Sequence, residues 1–171
     1  WYVERVSLAS KWSEPKNVGA IINTSANEYY PSVTTKGDLF FTAEYKNSKG
    51  KEDIYVSRFV NGVYTKPISL SASVNTEKYE FNAFVAPDES FIIFTSYGRK
   101  DDLGGGDLYI SYKDQNNNWT IAKSLGKKIN SNKIDYCPFV DIKTNTLYFT
   151  SEKNKLKTLF KFQKNIEELK Q

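Results

Sequence analysis

The residue types that are scarce in this sequence exclude several kinds of chemistry. It contains no histidine, no methionine and one cysteine among 171 residues. Without histidine, a Ser-His-Asp triad, a histidine metal site and an imidazole general base are all excluded. A single cysteine excludes an intramolecular disulfide. Because Cys137 lies in the apolar run DYCPFVDI, we expect a buried small side chain there rather than a reactive thiol.

Long apolar runs and a strong charge of either sign are also lacking. No stretch approaches the ~18 apolar residues that a membrane-spanning helix needs, so we expect no membrane insertion. The first ten residues, WYVERVSLAS, have neither the basic flank nor the apolar core of a signal peptide. The net charge is only +4, and the lysines are scattered rather than gathered in a stripe. Nucleic acid is therefore not expected as a partner.

What the sequence does contain is an internal repeat. An aromatic residue at Trp12, Tyr64 and Trp119 opens three similar units, 52 and 55 residues apart. Each unit continues with an asparagine in an [I/V]-N-[T/S] triplet and with an acidic residue five positions later. These recurring residues are Asn23, Asn75 and Asn130, followed by Glu28, Glu80 and Asp135. The chain therefore builds one unit several times.

Each unit has four short segments rich in β-branched and aromatic residues, and turn residues separate them. In the second unit the predicted strands are 81–86, 91–96, 108–113 and 119–124. No helical periodicity appears before the last residues, NIEELKQ, so the sequence predicts an all-β fold. Four antiparallel strands in a repeat of this length are typical of a β-propeller blade.

The alignment of the units also predicts their boundaries. Tyr2 aligns with Tyr55 and Tyr109, so the chain begins inside a unit. We expect a partial blade at 1–22, repeats at about 23–74, 75–129 and 130–164, and a tail at 165–171 with a turn or two of helix. The innermost strands are expected at 29–34, 81–86 and 136–141.

The number of units predicts an incomplete ring. About three and a half blades are fewer than the roughly four to eight of closed propellers. We therefore expect the chain to be part of a larger propeller of about six blades, whose missing blades come from upstream residues. The alternative is that two copies associate through their open blade edges.

Three stretches carry a resemblance to a known repeat. EYYPSVTTKGDLFFTAEY with EDIYVSR, FVAPDESFIIFTSY with GGGDLYISY, and YCPFVDIKTNTLYFTSE resemble the TolB-type, WD-like propeller repeat, which has a P-D-G turn and a D-[I/L]-Y strand. Units of this length resemble versions found in bacterial envelope proteins, often beside OmpA-like peptidoglycan-binding domains. The resemblance implies a periplasmic or cell-envelope location. The sequence departs from the pattern at Lys36, at Glu89 and at KTLFKF, which lacks D-[I/L]-Y.

The recurring polar residues are expected to serve the framework of the blades. Because they occur in every unit, we expect each asparagine to hydrogen-bond its own turn and each following carboxylate to tie the loop to the neighbouring blade. Asp53 and Asp107 belong to the D-[I/L]-Y pattern, where a carboxylate can accept backbone hydrogen bonds at the start of a strand.

The stretch GRKDDLGGGDLYISY, at 98–112, combines glycines with acids and so needs its own interpretation. In the other units the same connection between second and third strands differs in length and composition. A phosphate cradle would need a following helix and usually a lysine, whereas a strand follows here. We therefore interpret the stretch as a structural turn whose glycines supply positive φ, with a calcium-binding or ligand-contacting loop as the alternative.

A ligand site breaks the symmetry of a repeat, so residues unique to one unit are the better binding candidates. They are Arg99, Lys100, Asp101 and Asp102, with Tyr29, Tyr30 and Tyr79 as aromatic surfaces for a sugar or peptide. Core packing is the alternative role of these tyrosines. We expect a ligand on the face that carries Asn23, Asn75, Asn130 and the loop at 99–102, with Arg99 exposed. No cofactor and no metal is predicted.

Two classes of function fit this sequence. The first is a non-catalytic binding or scaffold propeller that presents loops to a protein or glycan partner. The second is a propeller glycoside hydrolase of the sialidase kind, since such enzymes use carboxylates, tyrosine and arginine rather than histidine. A third possibility is the non-catalytic propeller part of a peptidase, although no G-x-S-x-G motif occurs. We favour the binding propeller.

Overall fold

β-strands are the regular secondary structure of the part of the chain that the structure describes. The computed structural model describes residues 1–153 and 158–163, and no helix occurs within these ranges. The expected all-β fold is therefore confirmed. The short helix expected at 165–171 lies outside the described residues. Consistent with the strands, no helix long and apolar enough to cross a membrane is found among the described residues.

The strands form two four-stranded blades and one three-stranded blade, all with antiparallel pairing. The first blade has, in spatial order, β1 (Glu28–Val33), β2 (Leu39–Ala43), β3 (Asp53–Ser57) and β6 (Ile68–Ser69), with a hairpin of β4 (Phe59–Val60) and β5 (Val63–Tyr64) between the last two. The second has β7 (Tyr79–Val85), β8 (Phe91–Tyr97), β9 (Asp107–Tyr112) and β10 (Lys123–Ser124). The third has β11 (Asp135–Asp141), β12 (Thr146–Ser151) and β13 (Thr158–Gln163).

The outermost strand of the second blade is much shorter than expected. The sequence predicts a strand over 119–124, but only β10 and an isolated bridge between Lys113 and Trp119 are present. The reason is visible at Ala122, whose amide donates to the carbonyl of Ser73 at 2.9 Å. The backbone there leaves its own sheet to bond the loop that leads out of the first blade, so the ladder is interrupted.

The first 22 residues form only part of the expected half-blade. Tyr2 and Lys16 pair as an isolated antiparallel bridge, with two backbone hydrogen bonds of 2.9 and 2.8 Å. The same pairing occurs between Tyr55 and Ser69 in the first blade, and again between Tyr109 and Ser124 in the second. The equivalence of the three tyrosines is therefore confirmed, but extended strands do not form around the bridge.

Apolar side chains between neighbouring blades form the core. One cluster joins the first and second blades, and it includes Phe40, Ile54, Val85, Ile92 and Phe94. A second cluster joins the second and third blades through residues such as Ile93, Leu108, Val140, Leu147 and Phe149. Burying each such side chain contributes ~1.5–3 kcal/mol. Because each blade is covered by its neighbour, the sheets stack and the inner strands β1, β7 and β11 come to lie side by side.

An ion-pair network joins the first two blades at the turns between inner and second strands. Arg58 binds Asp38 at 2.8 Å and Glu89 at 2.6 Å, and Lys113 lies 3.3 Å from Glu89. Burial acts to raise the pKa of Asp38 and Glu89, but their hydrogen bonds and the cations outweigh it, so the pKa of both carboxyls lies below its usual range.

Glu89 has a φ of 63° at the position that Gly37 fills in the first blade.

Candidate functional site

The three inner strands bring equivalent residues together at a β-bulge. The pairing of β1 with β2 shifts register between Tyr29 and Ser32, and β7 and β11 shift at the corresponding places. The bulge residues are Tyr30, Asn82 and Cys137, with left-handed φ values of 52°, 52° and 53°. A positive φ is costly for such residues, so its recurrence marks a backbone turn that the inner strands require.

The side chains at the three bulges lie where the inner strands converge. Asn82 donates its side-chain amide to the Cys137 sulfur at 3.1 Å, and the Tyr30 hydroxyl donates to the carbonyl of Pro138 at 3.1 Å. Burial raises the pKa of both the Tyr30 hydroxyl and the Cys137 thiol. The thiol is therefore protonated at neutral pH and is not an activated nucleophile. Cys137 is half-buried, not fully buried as the sequence suggested.

An apolar groove of about 540 Å³ begins at this point and follows the second halves of the inner strands. Its apolar lining comes from all three strands and the turns after them: Pro31, Val33, Ala83, Phe84, Val85, Pro87, Pro138, Phe139, Val140 and Ile142. Val33 and Phe139 are each more than half exposed. Among residues 1–153 and 158–163, Asp141 is the one carboxylate that lines the groove. The groove is thus an open, mostly apolar surface with few polar groups.

Arg99 is part of the blade framework, which corrects its predicted role as an exposed binding residue. Its side chain is only 11% exposed, and it forms an ion pair with the fully buried Glu80 at 3.1 Å. The guanidinium also donates to Ser96 at 2.8 Å and to the carbonyl of Val74 at 2.5 Å. It lies over the ring of Tyr109, 4.7 Å from the centroid. These contacts satisfy Arg99 internally, so it is not available to a ligand.

The other predicted binding residues do not come together as one site. Asp101 accepts a hydrogen bond from the Tyr109 hydroxyl at 2.8 Å, while Lys100 is exposed. Tyr79 packs against Tyr97 with ring centroids 5.8 Å apart. Tyr30 alone among the predicted residues lines the groove, which lies at the opposite ends of the inner strands from the loop at 99–102.

Tyr29 belongs to a separate acidic cluster near the start of β1. The Tyr29 hydroxyl interacts with Glu52, and Glu52 also interacts with Glu44. Burial, together with Glu44, raises the pKa of Glu52, although the Tyr29 hydrogen bond acts against the rise. Burial and the two carboxylates raise the pKa of Tyr29. Among the described residues, no group of three or more histidine, cysteine, aspartate or glutamate side chains is arranged to hold a metal ion.

The repeated asparagines reach the preceding blade, which corrects the role expected for them. Asn75 accepts from the amide of Ile54 at 3.0 Å and donates to its carbonyl at 2.8 Å. Asn130 makes the same pair of bonds to Leu108, at 2.9 and 3.0 Å. Asn23 bonds Asn17 at 2.7 Å instead. The amide group, with a donor and an acceptor side by side, suits the backbone of a neighbouring strand.

The repeated carboxylates cap their own turns, so the two predicted roles are exchanged. Glu80 accepts from the Thr76 amide at 2.7 Å and from its hydroxyl at 2.8 Å, and Asp135 accepts from the same groups of Ser131. Glu28 binds Thr24 in the same way. In contrast, the role of Asp53 and Asp107 is as expected. Asp53 accepts the amides of Lys49 and Gly50, and Asp107 accepts that of Leu103.

The glycines of the stretch 98–112 allow the loop to touch the next blade. A Cβ on Gly104 would lie 2.3 Å from the backbone carbonyl carbon of Asn132. A Cβ on Gly50 would likewise clash with the backbone of Lys78, at the junction between the first and second blades. Gly98 and Gly106 have the positive φ that we expected, but Gly104 and Gly105 do not. The structural interpretation of the loop thus agrees with its geometry, although close approach rather than φ accounts for the middle glycines.

Residues that differ between the units of a repeat are candidates for a binding site, and this criterion, which selected Arg99, would also have selected the bulge residues. Tyr30, Asn82 and Cys137 occupy one position of the repeat but differ in every copy, within strands that otherwise look alike. That difference was the available signal. Asn82 and Cys137 were not among the predicted binding residues because neither is charged or aromatic.

Comparisons with known proteins agree with the propeller architecture. No protein-family model matches the sequence, and no curated protein matches it. Among solved structures, the chain is similar to TolB from Acinetobacter baumannii, with a TM-score of 0.56 and 13% sequence identity. The similarity covers 84% of this chain and 31% of that one, so this chain spans about a third of the TolB structure. It has a TolB-like propeller fold, and at this identity the likeness concerns the fold alone.

The asparagine contacts predict unequal losses of stability in three equivalent variants. Asn75→Ala and Asn130→Ala each leave a buried backbone amide without its acceptor, so each should lower the free energy of unfolding by about 2 kcal/mol. Asn23→Ala is the matched control and should cost less than about 1 kcal/mol, because Asn23 bonds only another side chain. Urea denaturation measures all three. Equal losses would contradict the assigned contacts.

Replacing Arg99 should destabilise the fold rather than weaken binding alone. Arg99→Gln leaves Glu80 as a buried carboxylate without its ion-pair partner, which should cost about 3 kcal/mol. Lys100→Gln, next to it in an exposed position, should change stability by no more than about 0.5 kcal/mol. Thermal and urea denaturation compare the two variants. A fully stable Arg99→Gln protein would restore the original interpretation of Arg99 as a surface residue.

Proposed function

We propose that this chain is part of a non-catalytic propeller that binds a protein partner through the apolar groove of its inner strands. The observation that carries the proposal is the apolar lining of the groove, to which all three inner strands contribute, with Val33 and Phe139 more than half exposed and Phe84 partly exposed. Exposed apolar surface in a concave site is typical of a binding surface. The envelope location follows from the resemblance of the repeat, and it is part of the same proposal.

The chemistry of the groove favours a peptide segment over a glycan. A glycan site needs a lining dominated by polar side chains that pair with sugar hydroxyls. The lining of this groove is mostly apolar, and its polar side chains are Tyr30, Ser32, Asp141 and Lys143. Phe84 and Phe139 pack edge to face, with ring centroids 5.6 Å apart. Aromatic and aliphatic side chains of a partner would find matching surface on these rings.

The groove gives no support to glycoside hydrolysis. Such enzymes need two carboxylates about 5–10 Å apart, and Asp141 is the only carboxylate that the described residues contribute to the groove. A second cavity, of about 710 Å³ between the first 23 residues and the first blade, has Glu4 and Glu28 in its lining. However, Glu4 is paired with Lys16, and Glu28 caps the turn at Thr24. Neither cavity therefore presents a free pair of acids.

The three arginines are also unavailable for a sialidase-like site. Arg58 binds Asp38 and Glu89, Arg99 binds Glu80, and Arg5 stacks on Trp12 at 4.3 Å. The stretch KDQNNNW, at 113–119, resembles the Asp-box turn of sialidases in the spacing from Asp114 to Trp119. It serves a structural turn, because Asp114 accepts the amides of Asn116 and Asn118 at 2.9 and 2.8 Å. These placements support binding rather than catalysis.

A peptide-display screen followed by one pair of variants tests the proposal. Peptides selected from a random library on the purified protein should bind the wild type and lose at least about tenfold in affinity against Phe139→Asp. Ile121→Asp, at an exposed position on the outer edge, is the matched control and should bind normally. Selected peptides that bind Phe139→Asp as well as the wild type would show that the groove is not the binding surface. Glycoside hydrolysis by the purified protein would contradict the non-catalytic assignment.

A further inference from the structure

Three buried oxygen atoms lack a hydrogen-bond partner within the described part of the chain, and all belong to one blade junction. They are Thr95 Oγ1, Asp107 Oδ1 and Asp135 Oδ1, in residues with no exposed surface. Thr95 and Asp107 lie on the paired strands β8 and β9, and Asp135 begins β11 of the next blade. Buried polar groups are nearly always satisfied, so three exceptions at one junction require an explanation.

The glycine loop closes this junction. The Asp135 amide donates to the carbonyl of Gly106 at 2.8 Å, so Asp135 is held against the residue that precedes Asp107. A Cβ on Gly106 would lie 3.4 Å from the Thr95 methyl group. We use the name Asp107 junction for four residues at this place: Thr95, Asp107 and Asp135, together with Asp102 of the glycine loop. Its members come from two blades and the glycine loop, and the carboxyls of Asp102 and Asp135 act electrostatically on Asp107.

The charged groups that act on Asp107 are themselves acidic. Asp102 interacts with Asp107 from the glycine loop, and Asp135 interacts with it from the third blade. The charges of Asp102 and Asp107 in turn help to raise the pKa of Tyr109 on β9. Burial is the largest cause that raises the pKa of Asp107, and the two aspartates add to it. The Leu103 amide opposes the rise, and the resulting pKa is about 6.

The equivalent residue of the first blade has a different environment. Asp53 occupies the same position of the repeat and is equally buried. Its two oxygens accept from Lys49, Gly50 and Ser69 at 2.8 to 3.1 Å. Asp107 accepts from the Leu103 amide at 3.0 Å through one oxygen and interacts with the carboxyl of Asp102, while its other oxygen has no hydrogen-bond donor among the described residues. The unsatisfied oxygen is therefore a property of the second unit, not of the repeat.

We propose that the Asp107 junction is a pH-sensitive contact, in which a proton on Asp107 keeps the glycine loop closed on the third blade. A protonated Asp107 carboxyl can donate a hydrogen bond to a neighbouring oxygen, so protonation gives its buried Oδ1 a role as donor that an ionised carboxylate lacks. When the proton is lost, buried like charges face one another and the loop opens more readily.

The expected direction of the pH effect follows from linkage. Asp107 has a higher pKa in the folded protein than the ordinary value of about 3.9, so folding favours the protonated form. This contribution to stability is fully present below about pH 4 and is lost as the pH rises through about 6. Ordinary paired carboxylates have the opposite dependence, since their contribution is lost as the pH falls.

Thermal denaturation and amide exchange at about pH 5 and about pH 8 test the proposal. The wild-type Tm should be lower at the higher pH by about 5 °C more than that of Asp107→Asn, which carries no titrating charge. Asp53→Asn is the matched control and should keep the wild-type difference. In the wild type, protection of the Leu103 and Asp135 amides, corrected for intrinsic exchange, should fall by about tenfold at the higher pH. Asp135→Asn provides a second variant and should reduce the pH dependence as well.

Three results would overturn the proposal. An Asp107→Asn protein with the same pH dependence as the wild type would remove Asp107 as the titrating group. Unchanged protection of the Leu103 and Asp135 amides in the wild type would show that the loop does not respond. Millimolar calcium chloride that raises the Tm of the wild type, but not of Asp107→Asn, would show that the junction holds a cation instead of a proton.

Discussion

The hydrogen-bond pair between an asparagine side chain and the third strand of the preceding blade fixes how successive blades meet. Asn75 and Asn130 bond the amide and carbonyl of Ile54 and Leu108, directly after the aspartate that begins each third strand. A side-chain amide carries a donor and an acceptor side by side, so it can match both backbone groups at once. Once this contact is made, the apolar sheet faces can close on each other.

The close approach of the loops follows from the same contact. With the asparagine bonded to the preceding strand, the backbone at Asn132 passes so near the loop of the second blade that Gly104 has no room for a side chain. The carboxylates of Glu80 and Asp135 then cap the turns that carry the asparagines. The recurring asparagines and carboxylates are therefore framework residues, and variation between the units falls on the inner-strand bulges and on individual loops, where Arg99 adds a framework contact found in one unit. Recognition is proposed at the variable bulge positions, whereas the proposed pH sensitivity arises at Asp107 and Asp135, which recur in the repeat but have different surroundings in each unit.

The period of the sequence was sufficient to predict the architecture. The spacing of Trp12, Tyr64 and Trp119 and the alternating segments between them led to the propeller, and the inner strands were placed within two residues of their observed bounds. Local pattern was enough because each strand is bounded by turn residues. It failed for the segment 119–124, where the Ala122 amide bonds a different blade. Such long-range competition leaves no mark in the local sequence.

The candidate site was predicted less well, for two physical reasons. A charged residue in a loop between strands is usually exposed, but Arg99 is drawn inward by Glu80, a contact that depends on the fold of the whole blade. The exchange of roles between the asparagines and the carboxylates has a similar origin, since sequence spacing does not reveal which blade a side chain faces. The groove depends on residues from three different units, and only the stacked inner strands bring them together.

The convergence of the inner strands can be measured with the one native thiol. In Asn82→Cys, the new cysteine replaces the side chain whose nitrogen lies 3.1 Å from the Cys137 sulfur. Dibromobimane, which becomes fluorescent when it bridges two thiols a few ångströms apart, should crosslink the two cysteines within one molecule. Ile121→Cys is the control, because position 121 lies on the exposed outer edge, and it should give no such crosslink. The Asn82→Cys protein should become fluorescent and carry an intramolecular bridge. Absence of the bridge although both thiols react in denaturant, or equal bridging in the two variants, would show that the inner strands do not converge at this point.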